Sequence, residues 1–182
     1  LSVEDLASSD LGDFDSVDPL NIARLQSSLA QLAKVQESAA TRTSETFKTL
    51  GEARQQADFT NFGSVEDLEA ADPLSLSEEN KNYLKAVQAN RKAIEEESKI
   101  RVMLANLQAS ELDERADDLA AKGKEEEAKA AREAADAARK RAKKEEADTT
   151  AFLDNQRQSE NAAAKQQKDR IQAEKDAAAA AR

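Results

Sequence analysis

Several residue types that support chemistry are missing from this chain of 182 residues. There is no cysteine, so disulfides and thiolate chemistry are excluded. There is no histidine either, which removes the commonest general base and metal ligand. We therefore expect a protein that is not an enzyme and that needs no cofactor and no metal.

Proline and glycine are scarce, with two and four copies in the whole chain. Residues 74–182 contain no proline and only one glycine, Gly123. Proline breaks helices and glycine weakens them, whereas the Ala, Glu, Lys, Arg and Gln that dominate here are strong helix formers. The sequence predicts an all-α fold of extended long helices, either coiled-coil-like or acting as a strut.

Bulky apolar side chains are also few. Aromatic residues make up 3% of the chain, and 37 of its residues are alanines, which gain little on burial. We expect little independent core. The same composition fits a chain that is disordered when alone.

No apolar run is long enough to cross a membrane, and no targeting segment is visible, so the sequence does not indicate a compartment. Because the chain begins with Leu1 and not with methionine, we expect its start to have been processed or trimmed.

The net charge of −10 is unevenly placed. Residues 1–72 hold 14 acids and 5 bases, whereas the remaining residues hold 23 acids and 22 bases. An acidic head argues against a nucleic acid as the partner. The balanced tail is typical of a solvated helix with ion pairs, and Glu97–Arg101 and Asp136–Lys140 have the favourable spacing.

Four segments follow from these patterns. Residues 1–18 carry six acids and no base and read as an extended acidic strip, or as a frayed terminus. Asp18-Pro19 is a helix start that opens a predicted helix over 19–57. A second irregular acidic segment, 58–74, links it to a helical region over 75–182.

The two acidic segments share two short sequence motifs. Ser64-Val65-Glu66-Asp67-Leu68 repeats residues 2–6 letter for letter, and Asp72-Pro73-Leu74 repeats residues 18–20. We interpret this as an imperfect duplication. Its two copies are either equivalent docking strips for a partner or simply two similar helix-start devices, because Ser-x-x-Asp and Asp-Pro both cap helices.

Two sets of apolar residues are candidates for partner contacts. The first lies at helical spacing and predicts seams that pack against copies of the chain or other subunits. The second lies in the acidic segments, whose alternating acids and apolar residues suit a strip on another surface. The seam set is Ile22, Leu25, Leu29, Leu32, Leu84, Val87, Ile94, Ile100, Leu104 and Leu107, and the strip set is Val3, Leu6, Phe14, Phe59, Phe62, Val65 and Leu68.

Gly123 leaves two topologies open. Lys122 before it and Glu125 to Glu127 after it match a helix end followed by a helix start. A hairpin would then fold the following helix back. We favour a continuous or gently bent helix, because few large apolar residues after Gly123 reward folding back.

These features predict a non-enzymatic structural or linker protein, a helical strut whose partners are protein subunits of a larger complex, with a homo-oligomer as one form. They predict no nucleic-acid partner and no membrane span. One alternative is a helical-hairpin binding or chaperone-like module. Another is a component of a virion or of a surface-appendage fibre.

Overall fold

The computed structural model describes residues 19–180, with side chains from residue 23 onward. It confirms the predicted all-α class, because the described residues form helices and no strand. In chain order the helices are α1 (Pro19–Gln56), α2 (Val65–Ala70), α3 (Glu78–Ala121) and α4 (Glu125–Ala180). The acidic strip at 1–18 lies outside the described residues.

Helix α1 begins at Pro19, where the missing N–H and fixed φ of proline cost nothing. It continues through the Thr/Ser cluster at 41–44 and through Gly51, although β-branched residues and glycine weaken helices. The hydroxyl groups of Thr41 and Thr49 donate to the carbonyls of Glu37 and Glu45 one turn earlier, at 3.0 and 3.1 Å. These threonines therefore satisfy their own polar groups without breaking the helix.

The chain turns back at Gly123, so our preference for a continuous helix was wrong. Gly123 has φ +75°, the left-handed conformation that glycine adopts without steric cost. The amide of Lys124 donates to the carbonyl of Leu119 and that of Gly123 to Ala120, each at 2.9 Å. This pattern is the Schellman motif, which closes a helix end.

Small side chains and ion pairs hold the hairpin together. A prediction that relies on large apolar residues alone therefore misses it. Ala109 on α3 packs with Ala135 and Ala138 on α4 in a buried cluster. Asp117 and Arg132 form an ion pair at 3.0 Å across the same interface. Alanine lets two helices approach closely, so contacts accumulate although each methyl group contributes little.

The structure divides into two compact units. One consists of α1 up to Thr41 together with Ile94–Thr149, and the other of Arg42–Ala93 together with the chain from Thr150 onward. The first has an aliphatic cluster around Leu25, Leu32, Ile100 and Leu107. The second has a cluster that holds most of the buried aromatic and aliphatic residues of the segment 57–77, including Phe59, Val65, Leu68 and Leu76.

Candidate functional site

The second unit contains a buried tyrosine–carboxylate pair. Tyr83 on α3 is fully buried and stacks edge-to-face on Phe59, with ring centroids 5.4 Å apart. Its hydroxyl donates to Oε2 of Glu160 on α4 at 2.5 Å, and Oε1 of Glu160 lies 3.6 Å from Nη1 of Arg54 on α1. Burial, reinforced by the hydrogen bond and the charge of Glu160, raises the pKa of Tyr83 well above its ordinary value.

A second polar layer joins the same three helices. Asn90 on α3 is fully buried; its Nδ2 donates to Oγ1 of Thr46 on α1 at 3.1 Å, and its Oδ1 accepts from Nε2 of Gln156 on α4 at 2.7 Å. Thr43 donates to the carbonyl of Ala93 at 3.3 Å. Buried polar groups with such specific partners fix the register of helices, because any shift leaves them unpaired.

The first unit has its own polar contacts between α3 and α4. Arg101 lies between two carboxylates, with Nη2 2.5 Å from Glu97 and Nη1 3.0 Å from Glu145. The hydroxyl of Thr149 donates to that of Ser98 at 2.8 Å. The predicted pair Glu97–Arg101 therefore forms, whereas Asp136 pairs with Arg139 instead of Lys140.

The second copy of the repeated motif, residues 64–68, packs against other helices of the same chain. Ser64 caps α2 by accepting from the amide of Asp67 at 3.1 Å, and Val65 and Leu68 are fully buried. Glu66 lies 2.5 Å from Nε of Arg157 on α4, and Asp67 accepts from the amide of Gly63 at 2.8 Å. This copy is thus both a helix-start device and a strip docked on the chain's own helices. The first copy, with Val3, Leu6 and Phe14, lies outside the described residues.

The other strip residues are placed in the second unit. Phe59 is buried beside Tyr83, and Phe62 is partly buried against the same cluster. A hydrogen bond from Asn161 lowers the pKa of Glu66, and the contact with Arg157 lowers it further by a smaller amount. Two hydrogen bonds from Thr60, of which that from the side chain is the stronger, lower the pKa of Asp58.

The seam residues are covered by the chain's own helices. Five of them are buried, namely Leu25, Leu32, Val87, Ile100 and Leu107. Leu29, Leu84, Ile94 and Leu104 are partly buried, and the side chain of Ile22 lies outside the described residues. We expected this stripe to need another molecule. The hairpin and α1 supply the missing surfaces instead, because three helices can bury a stripe that one helix must leave exposed.

Sequence reasoning did not single out the surface that stays apolar. Phe47 on α1 and Phe152 on α4 are 40% and 48% exposed, and their rings meet edge-on with centroids 6.3 Å apart. Leu74, in the second Asp-Pro-Leu, is 92% exposed. The only sequence signal was that Phe152 is one of the few large apolar residues after Leu119. Its pairing with Phe47 depends on how the helices fold back.

Within residues 19–180, no group of three or more acidic side chains is arranged to hold a metal ion. No helix in that range is long and apolar enough to cross a membrane. Comparison with family models, with curated proteins and with solved structures found no match for the chain.

Proposed function

We propose that this chain is a non-enzymatic structural or linker protein that packs against copies of itself or against partner subunits in a larger assembly. The observation that carries the proposal is the exposed aromatic pair Phe47–Phe152 in the second unit. Aromatic residues, phenylalanine included, are enriched in protein interfaces, and neighbouring exposed apolar side chains are candidates for such a contact.

The interior supports the same proposal. Its buried polar groups, such as Tyr83, Asn90 and Ser98, form hydrogen bonds from one helix to another. Contacts of this kind hold helices in one arrangement and leave the surface to interact with other molecules. In this proposal the predicted seams build the fold, and the aromatic pair replaces them as the partner-binding surface.

The test is the mass of the full chain in solution, measured by analytical ultracentrifugation over a wide range of concentration. We expect an association that weakens at least about tenfold when Phe47 and Phe152 are both replaced by alanine, since an interface residue with hot-spot character contributes about 2 kcal/mol or more. The matched control replaces Lys48 and Asp154, exposed neighbours on the same helices, and should leave association unchanged. Circular dichroism checks that each variant keeps its helicity.

If the wild-type chain stays a monomer, the same Phe47/Phe152 variant is compared with wild type in cells by crosslinking. A loss of crosslinks to a defined protein supports the proposal. A monomer whose crosslinks are identical in wild type and variant contradicts it.

One observation favours a second candidate, a helical-hairpin binding or chaperone-like module. Arg101 and Glu145 meet within one chain at 3.0 Å, which is the contact a hairpin around Gly123 requires. A chaperone-like module would suppress the turbidity of an aggregating client at substoichiometric or equimolar amounts. A structural linker would leave that turbidity unchanged.

A further inference from the structure

A band of four cations lies on α4 in the first unit. Lys140, Arg141, Lys143 and Lys144, here called the basic belt, are all exposed, whereas Ala142 between them is buried. At 100° per residue, these four positions all lie on the side of the helix that faces solvent. The belt is the strongest concentration of positive charge in a chain whose net charge is −10.

Two of the acids near the belt are engaged elsewhere. Asp136 pairs with Arg139 at 3.1 Å, and Arg139 also binds Asp113 on α3. Glu145 pairs with Arg101 at 3.0 Å. Within residues 19–180, none of the four cations of the belt forms an ion pair. A surface of four like charges repels itself, so it favours any ligand that brings negative charge.

The chain itself contains a segment whose charge is opposite to that of the belt. Residues 1–18 hold six acids and no base, together with the apolar residues Val3, Leu6 and Phe14. We propose that this N-terminal segment docks on the basic belt of its own chain. The proposal goes beyond the function proposed above, since it concerns neither Phe47 nor Phe152.

The contacts of the first unit show that the segment can reach. Nε2 of Gln26 on α1 donates to Oε1 of Glu111 on α3 at 3.1 Å, and Asp113, two residues further, binds Arg139 next to the belt. Helix α1 begins at Pro19, about 10 Å of helix before Gln26. Eighteen extended residues span up to about 60 Å. Attachment to the same chain also gives the segment an effective concentration in the millimolar range.

The test uses a carbodiimide, which joins a carboxylate directly to a lysine amine in contact with it. In the full chain we expect crosslinks from the carboxylates of residues 4–18 to Lys140, Lys143 and Lys144, identified by peptide mass spectrometry of the monomer band. They should disappear at about 1 M salt, where the screening length is about 3 Å.

The variant replaces Lys140, Arg141 and Lys144 by glutamate and keeps Lys143, so that the belt still offers an amine for crosslinking. We expect at least about tenfold fewer crosslinks from residues 4–18 to Lys143, because reversing three charges replaces attraction by repulsion. The control makes the same change of charge at Lys85, Lys99 and Lys129, which are exposed and lie outside the belt. The control should retain the crosslinks to the belt.

Mixing isotopically light and heavy chains identifies the source of the segment. Crosslinks within one isotope support docking on the same chain, whereas crosslinks only between light and heavy chains overturn it in favour of docking between copies. A belt that binds a labelled DNA duplex while residues 4–18 form no crosslink to it overturns the proposal in favour of a nucleic-acid surface. Equal loss in the variant and the control also overturns it, because net charge alone would then explain the contact.

Discussion

The hydroxyl of Tyr83 donates to Oε2 of Glu160 at 2.5 Å, although 77 residues separate them in the chain. Tyr83 is the chain's single tyrosine, and there is no tryptophan, so its spectrum reports on this contact alone. The neighbouring cation of Arg54 lies 3.6 Å from the other carboxylate oxygen. The contact therefore ties α3 to α4 inside the second unit.

Replacing Tyr83 by phenylalanine should lower the free energy of unfolding by about 1.5–3 kcal/mol, the range for a hydrogen bond to a charged group. The wild-type protein should also lose stability above about pH 10, because the unfolded tyrosine ionises there while the raised pKa keeps the folded one protonated. Urea denaturation at several pH values measures both effects. A phenolate absorbance that appears near pH 10 without unfolding contradicts this account.

Two glycines should respond in opposite directions to replacement by alanine. At Gly123, with φ +75°, the substitution forces a side chain into the left-handed region and should cost about 1–2 kcal/mol. At Gly51, inside α1 and with no atom within 4 Å of an added Cβ, it should stabilise by about 0.5–1 kcal/mol. Chemical denaturation of both variants checks the prediction, which fails if the two shifts share a sign.

Residues of the predicted seam should contribute to the folding stability of the isolated chain. Ile100 is 2% exposed, so its replacement by alanine should cost about 2–5 kcal/mol through lost burial and a residual cavity. Leu74 is the matched control, because at 92% exposure the same truncation should change stability by less than about 0.5 kcal/mol. Measurements at low protein concentration separate folding from association. An unaffected Ile100 variant would mean that this side chain serves another molecule.

Acid should weaken the second unit through Asp58. Its carboxylate accepts from the amide and the hydroxyl of Thr60 at 2.9 and 2.5 Å, which lowers its pKa in the folded state. The resulting stability is present above the ordinary aspartate pKa of about 4 and is lost as the pH falls through the lower folded value. Replacing Thr60 by valine should therefore reduce the loss between neutral and acidic pH.

Thr49 provides the comparison for that experiment, because its hydroxyl donates to a backbone carbonyl and not to a carboxylate. Its replacement by valine should leave the pH dependence of unfolding unchanged. Two variants with the same pH profile would show that Asp58 is not the group responsible.

Local patterns predicted the long helices, but neither the short helix α2 inside the segment 58–74, which we predicted to be irregular, nor the contacts between helices. The start of α1 at Pro19 could be predicted because the chemistry of a helix start acts within one turn. The hairpin was missed because Ala135 and Ala138 look like weak core residues until Ala109 faces them. The pairs Tyr83–Glu160 and Phe47–Phe152 join residues far apart in sequence, so no local periodicity signals them.

The tight turn at Gly123 also bears on how quickly the first unit forms. Asp117 and Arg132 are separated by 15 residues, whereas Arg101 and Glu145 are separated by 44, so each pair further from the turn closes a longer loop. Loop-closure entropy rises with length, and chains rich in short-range contacts fold fast. Pairing of α3 with α4 should thus begin beside Gly123 and proceed away from the turn, so that the Arg101–Glu145 contact forms late.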